Sequence, residues 1–197
     1  MSVNFNNSEE FVKSVKIFND GKAEVVENVK LRIEKKTSTT EDDKHPNYKL
    51  IATDNTGAEV NEGFYYQQPD AKGFTDYQAQ RLIMLARGVF GDDVKFPVFN
   101  NPTEALDGVM KMVAPELGKK AFRVAVCYGT TKRPSQYIGF KSFGRFIQPM
   151  SEESKMTFEK SDNLVRVVPT ATPANELISG MNTGIEKTEG LDWMNQQ

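Results

Sequence analysis

Two side chains suited to nucleophilic or acid–base catalysis, His45 and Cys127, are each the only residue of their type in this chain. A cysteine nucleophile needs a base such as histidine within reach, and Cys127 lies within an alternating pattern typical of a strand, where a small packed or semi-exposed thiol is expected. His45 precedes Pro46 in a polar stretch and is expected to be a solvated loop residue. One cysteine and one histidine also fall short of the four ligands of a structural zinc site.

Other signatures of catalysis are weak. The glycines are spread among turns and form no phosphate loop or dinucleotide fingerprint. The acidic runs "TEDDK" at 40–44 and "GDD" at 91–93 are candidates for a carboxylate metal site, but such runs are usually solvated loops. We therefore expect no enzymatic activity, no cofactor and no metal, with a metal-dependent nuclease as a minor alternative.

The distribution of charge indicates binding instead. The net charge is only −2, yet residues 117–151 contain seven basic side chains and no acidic one, between two acidic flanks. Such asymmetry favours a polyanionic partner. We call residues 117–151 the basic block; its cations are Lys119, Lys120, Arg123, Lys132, Arg133, Lys141 and Arg145.

Aromatic side chains are interleaved with these cations. Single-stranded nucleic acid offers phosphates to cations and exposed bases to aromatic faces. Lys141, Phe143 and Arg145 are two residues apart and would share one exposed face of a strand, whereas Phe140 and Phe146 are better candidates for the core. The candidate nucleic-acid-binding residues are Lys119, Arg123, Tyr128, Lys132, Arg133, Tyr137, Lys141, Phe143 and Arg145, with Tyr65 from the neighbouring hairpin.

Strands are expected to carry most of these residues. Alternating apolar residues predict strand-rich hairpins over residues 12–36, 48–66 and 121–147. The turn signals are Asn19-Asp20-Gly21 in the first hairpin and Asp54-Asn55-Thr56-Gly57 in the second.

Two helices are expected between the second and third hairpins. Apolar residues at spacings of three and four predict helices over 75–90 and 103–117. Thr75 or Asp76 would cap the first helix and Thr103 the second, because short polar side chains accept hydrogen bonds from the first free N–H groups.

This order predicts a β-rich α+β fold. The specific expectation is an OB-like Greek-key barrel of about five strands with a helical insertion, which binds through a sheet face and flanking loops. The polar loop 129–136 would be one of these loops. Residues 1–168 would form the nucleic-acid-binding domain, and residues 169–197, which are rich in Pro, Thr, Gly and Asn, would form a disordered acidic tail.

The order of "YKLIATDNTGAEVNEGFYY", a helical stretch and "GKKAFRVAVCYGTTKRPSQYIGFKSFGRFI" resembles single-stranded DNA-binding proteins of tailed bacteriophages. The resemblance covers roughly residues 12–150. It implies an OB barrel that coats single-stranded DNA during replication, recombination or repair. Many such proteins end in an acidic tail with an apolar tip that docks onto partner enzymes. Here Asp192 and Trp193 would take that role, although the terminal Pro-Phe of the bacterial pattern is absent.

The sequence therefore predicts a sequence-independent single-stranded DNA-binding protein. The alternative is a β-rich phage structural or protein-interaction module that uses the basic hairpin against an acidic protein surface. The oligomeric state and the preference for DNA or RNA stay open. The N-terminus does not have the pattern of a secretory signal, no apolar run approaches ~18 residues, and one cysteine allows no disulfide within the chain. We expect no membrane partner and a cytoplasmic location, in the host cell if the protein is phage-encoded.

Overall fold

The computed structural model describes residues 16–36, 47–65 and 77–168 of the chain. A 3-10 turn at Phe18–Gly21 precedes the sheet. The hairpin predicted over residues 12–36 is wrong in its described part, residues 16–36, because Asn19-Asp20-Gly21 form this 3-10 turn and one strand, Val25–Lys36, follows it. The strands are β1 (Val25–Lys36), β2 (Asn47–Thr53), β3 (Glu59–Phe64), β4 (Phe122–Thr130), β5 (Arg133–Phe140) and β6 (Ile147–Pro149), and the helices are α1 (Tyr77–Phe90) and α2 (Pro102–Leu117). The β-rich α+β class predicted from the sequence is confirmed.

The six strands form one antiparallel sheet. The order is β3-β2-β1-β4-β5, and β6 pairs with β4. The first half of β4 pairs with β1 on one side and β6 on the other, and its second half pairs with β5. The hydrogen-bonded order does not close into a barrel among the described strands, but Cα atoms of the two end strands, β3 and β5, approach within 8 Å. The sheet is therefore strongly curved.

Local turn chemistry explains the β2–β3 hairpin, which is found where it was predicted. The Asp54 carboxylate accepts hydrogen bonds from the backbone N–H groups of Thr56 at 2.8 Å and Ala58 at 3.0 Å. Gly57 has φ +82°, a conformation that residues with a Cβ rarely adopt. The hairpin register then places Leu50 and Val60 in the core.

The helices follow their apolar spacing, but one cap differs from the prediction. Leu82 and Leu85 of α1 and Val109 and Val113 of α2 are buried in the core, as expected. The N-cap of α2 is Asn101, not Thr103. Its side chain accepts a hydrogen bond from the N–H of Glu104 at 2.9 Å, and Pro102 occupies the first turn, where a missing N–H costs nothing. Residues 75 and 76, the candidate caps of α1, lie outside the described residues.

β4 is buried on both faces. Every side chain from Phe122 to Tyr128 is buried. The alternating pattern instead predicts that one face of the strand packs against the core and that the opposite face carries Arg123, Ala125 and Cys127. Burial and the charge of Asp162 both raise the pKa of the Cys127 thiol, and the N–H of Lys141 donates to the carbonyl of Ala125. Later parts of the chain therefore cover the second face of β4.

The second arm of the hairpin predicted over 121–147, in which Gly139 and Gly144 permit bends, is interrupted. β5 ends at Phe140, and residues 141–146 leave the sheet before β6 begins. Both ends of this excursion are fastened to one residue of β4: the N–H of Lys141 donates to the carbonyl of Ala125 at 2.8 Å, and the N–H of Ala125 donates to the carbonyl of Phe146 at 3.0 Å. Lys141, Phe143 and Arg145 consequently do not share a strand face.

The two phenylalanines that flank the excursion belong to the core. Phe140 and Phe146 are 8% and 0% exposed, and their rings meet edge to face at 5.6 Å. Between them Phe143 is exposed, whereas Lys141 is buried, so only part of the excursion faces solvent. The predicted tail over 169–197, with Asp192 and Trp193, lies outside the described residues.

Candidate nucleic-acid interface

Carboxylates from other parts of the chain neutralise most of the basic block. Five of its seven cations lie within ion-pair distance of a carboxylate. These pairs are Lys119–Glu116 at 2.8 Å, Lys120–Glu116 at 3.5 Å, Arg123–Glu27 at 3.9 Å, Lys141–Asp162 at 3.4 Å and Arg145–Asp92 at 2.5 Å. The hydrogen bond from Lys119 holds the pKa of the Glu116 carboxyl below its usual value. The charge of this segment is thus much lower in the fold than in the sequence.

Three of the sequence-predicted contact residues are interior residues. Arg123 is 7% exposed and donates to the carbonyl of Met150 at 3.3 Å. Tyr128 is 4% exposed and its hydroxyl donates to the carbonyl of Gly21 at 2.6 Å. Lys141 is 2% exposed. None of the three side chains is exposed enough to serve as a main contact for a nucleic acid, and we leave them out of the set of contact residues.

Lys141 has a structural role that the sequence did not indicate. Its ammonium pairs with Asp162, which is itself buried, and donates to the carbonyl of Thr157. The same carboxylate accepts from the N–H of Glu159 at 2.8 Å. Because a buried charge without a partner is costly, this pair fixes residues 157–162 against the protein.

Backbone hydrogen bonds continue this attachment along the end of β4. The N–H of Tyr128 donates to the carbonyl of Asn163 at 2.8 Å, and the N–H of Asn163 donates to the carbonyl of Gly129 at 3.1 Å. The N–H of Thr131 donates to the carbonyl of Ser161 at 2.8 Å. The segment around 161–163 therefore supports the base of the β4–β5 loop.

A groove of about 730 Å³ opens between this loop and the 141–146 excursion. We call it the loop groove. It is lined by Tyr77, Gly129, Thr130, Thr131, Lys132, Arg133, Ser142, Phe143, Glu159 and Ser161. It thus combines cations, aromatic rings, hydroxyl groups and one exposed carboxylate, Glu159, from four separate parts of the chain.

The two cations of the loop groove are the remaining members of the basic block. Lys132 and Arg133 are exposed at the tip of the β4–β5 hairpin, and neither lies within ion-pair distance of a carboxylate among the described residues. The backbone N–H of Arg133 donates to the hydroxyl of Thr130 at 3.0 Å, which tightens the turn. We call these two residues the tip pair.

Tyr77 and Phe143 form an aromatic wall in the same groove. Their rings meet edge to face, with centroids 6.3 Å apart and an interplanar angle of 82°. They are 42% and 52% exposed. Large exposed rings on a fixed wall are suitable platforms for stacking nucleic-acid bases. Tyr77 fits the apolar spacing of α1, and no local signal in the sequence indicates that it meets Phe143.

A buried arginine holds the aromatic wall in place. Arg81 of α1 is 3% exposed and binds Glu62 of β3 through two hydrogen bonds of 2.6 and 2.8 Å. Its guanidinium lies 3.4 Å from the ring centroid of Phe146 and donates to the carbonyl of Ser142 at 3.4 Å, which also accepts from the hydroxyl of Tyr77. One planar group thus joins α1, β3 and the excursion.

A second groove, of about 510 Å³, lies between the end strands β3 and β5. We call it the edge groove. It is lined by Lys16, Ile17, Phe18, Glu59, Val60, Asn61, Tyr128, Gln136, Tyr137, Ile138 and Arg166. Tyr137, one of the sequence-predicted contacts, is 72% exposed here.

The other candidate residues lie apart from the grooves. Tyr65 is 48% exposed after the end of β3 and lines neither groove. Lys119 follows the end of α2 beside Glu116. Arg145 pairs with Asp92 and also contacts the carbonyl of Arg87.

The described residues offer little for metal binding or covalent chemistry. No group of three potential metal ligands occurs among them, and Asp92 of the "GDD" run is engaged by Arg145. The thiol of Cys127 is buried, and burial raises its pKa, so the reactive thiolate is disfavoured at neutral pH. His45 and the "TEDDK" run lie outside the described residues. In the part of the chain that the structure describes, no helix is both long and apolar enough to cross a bilayer.

Comparison with known proteins does not assign a family. No protein-family model matches the chain, and no curated protein is detectably similar to it. The functional interpretation therefore depends on the geometry and charge of the two grooves.

Proposed function

We propose that this protein binds single-stranded DNA without sequence preference and has no catalytic activity. The loop groove carries the proposal, because Lys132 and Arg133, which have no carboxylate partner among the described residues, line it together with the exposed rings of Tyr77 and Phe143. Cations that follow a phosphate backbone and aromatic faces that stack on bases are the two requirements for such binding. Hydroxyl groups of threonine and serine add hydrogen-bond partners that do not distinguish one base from another.

The strand order supports an OB-like architecture. The order β3-β2-β1-β4-β5, the close approach of β5 to β3 and the helices between β3 and β4 agree with a partly open five-stranded barrel. OB folds bind oligonucleotides with the loop between their fourth and fifth strands, and this loop carries Lys132. The resemblance to phage proteins extends the proposal to phage DNA replication, recombination or repair.

The contact set is smaller than the charge of the basic block suggests. We propose Lys132 and Arg133 as phosphate contacts and Phe143 and Tyr77 as stacking residues. Each neutralised phosphate of a single strand contributes about −0.7 to the slope of log affinity against log salt, and two contacts therefore give a slope of about −1.4. Lys119 and Arg145 keep their carboxylate partners and contribute little.

The direct test is fluorescence anisotropy of labelled oligo-dT over a salt series. We compare the wild type with the double variant Lys132→Ala/Arg133→Ala and with the matched control Lys95→Ala/Arg87→Ala, whose exposed cations line neither groove. The tip variant is expected to lose affinity and salt dependence, and the control to keep both. Absence of wild-type binding at about 50 mM salt, where electrostatic binding is strong, would refute the proposal.

The same assay addresses the choice of nucleic acid and the nuclease alternative. Oligo-U in place of oligo-dT measures any preference for RNA, which depends on contacts to the 2′-hydroxyl. Incubation with Mg²⁺ or Mn²⁺ is expected to leave the oligonucleotide intact. Degradation that depends on the metal would favour the nuclease.

One observation favours the protein-interaction alternative. Leu164, Val165 and Val167 are 47%, 73% and 41% exposed in one short stretch, and clustered exposed apolar residues often mark protein contacts. The charge reversal Lys132→Glu/Arg133→Glu separates the two functions. Loss of oligonucleotide binding supports the DNA-binding proposal, whereas retained binding with loss of self-association or partner assembly supports the alternative.

A further inference from the structure

The edge groove has features that the fold does not need for its own stability. Tyr137 is the most exposed aromatic side chain among the described residues, at 72%. It lines a groove whose apolar surfaces include Phe18 and Val60, both buried, and Ile138, which packs against the core. A largely solvated ring above a groove of about 510 Å³ is available to an added ligand.

An irregularity in β5 causes this exposure. Cys127 pairs with Gly139, and Gly129 pairs with Pro134, so residues 135–138 of β5 lie opposite the single residue Tyr128. Extra residues in one strand bend it outward, and such bulges are often found beside binding sites. Gly129 is required here, because it has φ +75° and an added Cβ would lie 2.5 Å from the carbonyl oxygen of Arg133. The bulge is therefore built into the hairpin.

The groove is also electropositive. Lys16 donates to the carbonyl of Thr56 at 2.5 Å and Arg166 donates to the carbonyl of Gln136 at 3.3 Å, so each is held by the backbone. Neither lies within ion-pair distance of a carboxylate among the described residues. The one carboxylate that lines the groove, Glu59, is engaged by Arg32 at 2.7 Å, and this hydrogen bond lowers its pKa.

The two grooves are adjacent. Tyr128 lines the edge groove and Gly129, the next residue, lines the loop groove. On β5, Arg133 lines the loop groove and Gln136 the edge groove, a separation of about 10 Å at ~3.3 Å per residue. A single polymer can therefore contact both.

We propose that the edge groove is a second nucleotide-binding subsite, in which a base stacks on Tyr137 and phosphates contact Lys16 and Arg166. This inference rests on the proposed function and adds a direction to it. The bound strand runs from the loop groove past the β5 bulge into the gap between β3 and β5. An acidic peptide in the edge groove would use the same cations, and the experiment distinguishes it from a nucleic acid.

The experiment compares oligo-dT of about 4 and about 12 nucleotides, which bracket the usual range for one OB fold. The variants are the edge pair Lys16→Ala/Arg166→Ala, Tyr137→Ala with Tyr137→Phe as its conservative partner, and the control Lys95→Ala/Arg87→Ala. Four phosphate contacts predict a wild-type salt slope of about −2.8 with the longer oligonucleotide, and the edge pair variant should reduce it to about −1.4.

The expected pattern depends on length. The edge pair variant and Tyr137→Ala should each weaken binding of the longer oligonucleotide by about tenfold, within the range for loss of a stacking ring. Both should bind the shorter one as the wild type does, and Tyr137→Phe should bind both normally. Thermal unfolding of each variant establishes that the fold is intact.

Two results would overturn the inference, and they have different consequences for the proposed function. Wild-type binding of the longer oligonucleotide with an unchanged affinity and slope in the edge pair variant refutes the second subsite and leaves the proposed function standing. If the edge pair variant binds the oligonucleotide as the wild type does but no longer binds an acidic peptide that the wild type binds, the groove is assigned to a protein partner. No wild-type binding of either oligonucleotide refutes the proposed function and the subsite together.

Discussion

The cations of the basic block fall into two groups that the sequence does not distinguish. Lys132 and Arg133 are exposed and without carboxylate partners among the described residues, whereas the other five lie within ion-pair distance of a carboxylate. The partners come from α2, β1, the α1–α2 connection and the segment after β6. The comparison teaches that an excess of one charge along a segment does not measure its charge at the surface, because carboxylates outside the segment, most of them distant in sequence, pair with its cations in the fold.

Position in the hairpin explains the difference. Lys141 and Arg123 lie where the chain packs against itself, and a charge there must be paired or it destabilises the fold. Lys132 lies at the turn between two strands, where no other segment covers it. A charge that is left unpaired at an exposed tip costs little and remains available to a ligand.

The largest expected effect is on stability and comes from Lys141, the most deeply buried of the five paired cations. Lys141→Met leaves the carboxylate of Asp162 buried without its cation, and breaking such a pair typically costs about 3–5 kcal/mol. Urea unfolding followed by circular dichroism measures the loss. Lys132→Met is the matched control from the tip pair and should change the free energy of unfolding by less than about 0.5 kcal/mol. Equal effects of the two substitutions would contradict the division into two groups.

A smaller effect is expected from the residue that holds the aromatic wall. Arg81→Lys keeps the positive charge but loses the two-pronged contact with Glu62 and the stacking on Phe146, and we expect a loss of about 1–3 kcal/mol in stability. Affinity for oligo-dT should also fall, because the wall loses its support at Ser142. The salt slope should stay unchanged, since no phosphate contact is removed. Phe143→Ala is the comparison for affinity, and a changed slope in Arg81→Lys would mean that Arg81 acts on the phosphates.

Much of the scaffold can be predicted from the sequence because its signals are local. Asp54 and Gly57 define the β2–β3 turn within four residues, and the apolar spacing of α1 and α2 lies within each helix. The β-rich class follows from these elements.

The candidate site cannot be predicted in the same way, because its contacts are distant in sequence. Lys141 is buried because it pairs with Asp162, which is 21 positions away in the sequence. The chain leaves the sheet at this residue, where the sequence predicts that the strand continues. Tyr77 meets Phe143 although they are separated by 66 positions. The sequence identified Lys132, Arg133, Tyr137 and Phe143 correctly as exposed side chains, since turn and bulge residues are seldom covered.

The next prediction tests whether position or total charge governs binding. Glu116→Gln removes one negative charge and releases Lys119 and Lys120, yet it leaves both grooves unaltered. We expect less than about a twofold change in affinity for oligo-dT, compared with a loss on the order of tenfold at about 100 mM salt for Lys132→Ala/Arg133→Ala. The anisotropy titration measures both. A large gain in affinity in Glu116→Gln would show that net charge, and not the tip pair, determines binding.

The smallest effect concerns the pH dependence of Glu116, the carboxylate that pairs with Lys119 and Lys120. Lys119 lowers the folded-state pKa of Glu116 below its usual value near 4.5, so this carboxylate stabilises the fold above that pH and the contribution is lost as the pH falls through the folded-state pKa. The negative charge near the C-terminus of α2 opposes the helix dipole, and the net difference at pH 7 is therefore small. Urea midpoints of the wild type and Glu116→Gln should differ slightly at pH 7 and converge as the pH falls below about 4.5. A difference that persists unchanged into acid would mean that the ion pair is not its source.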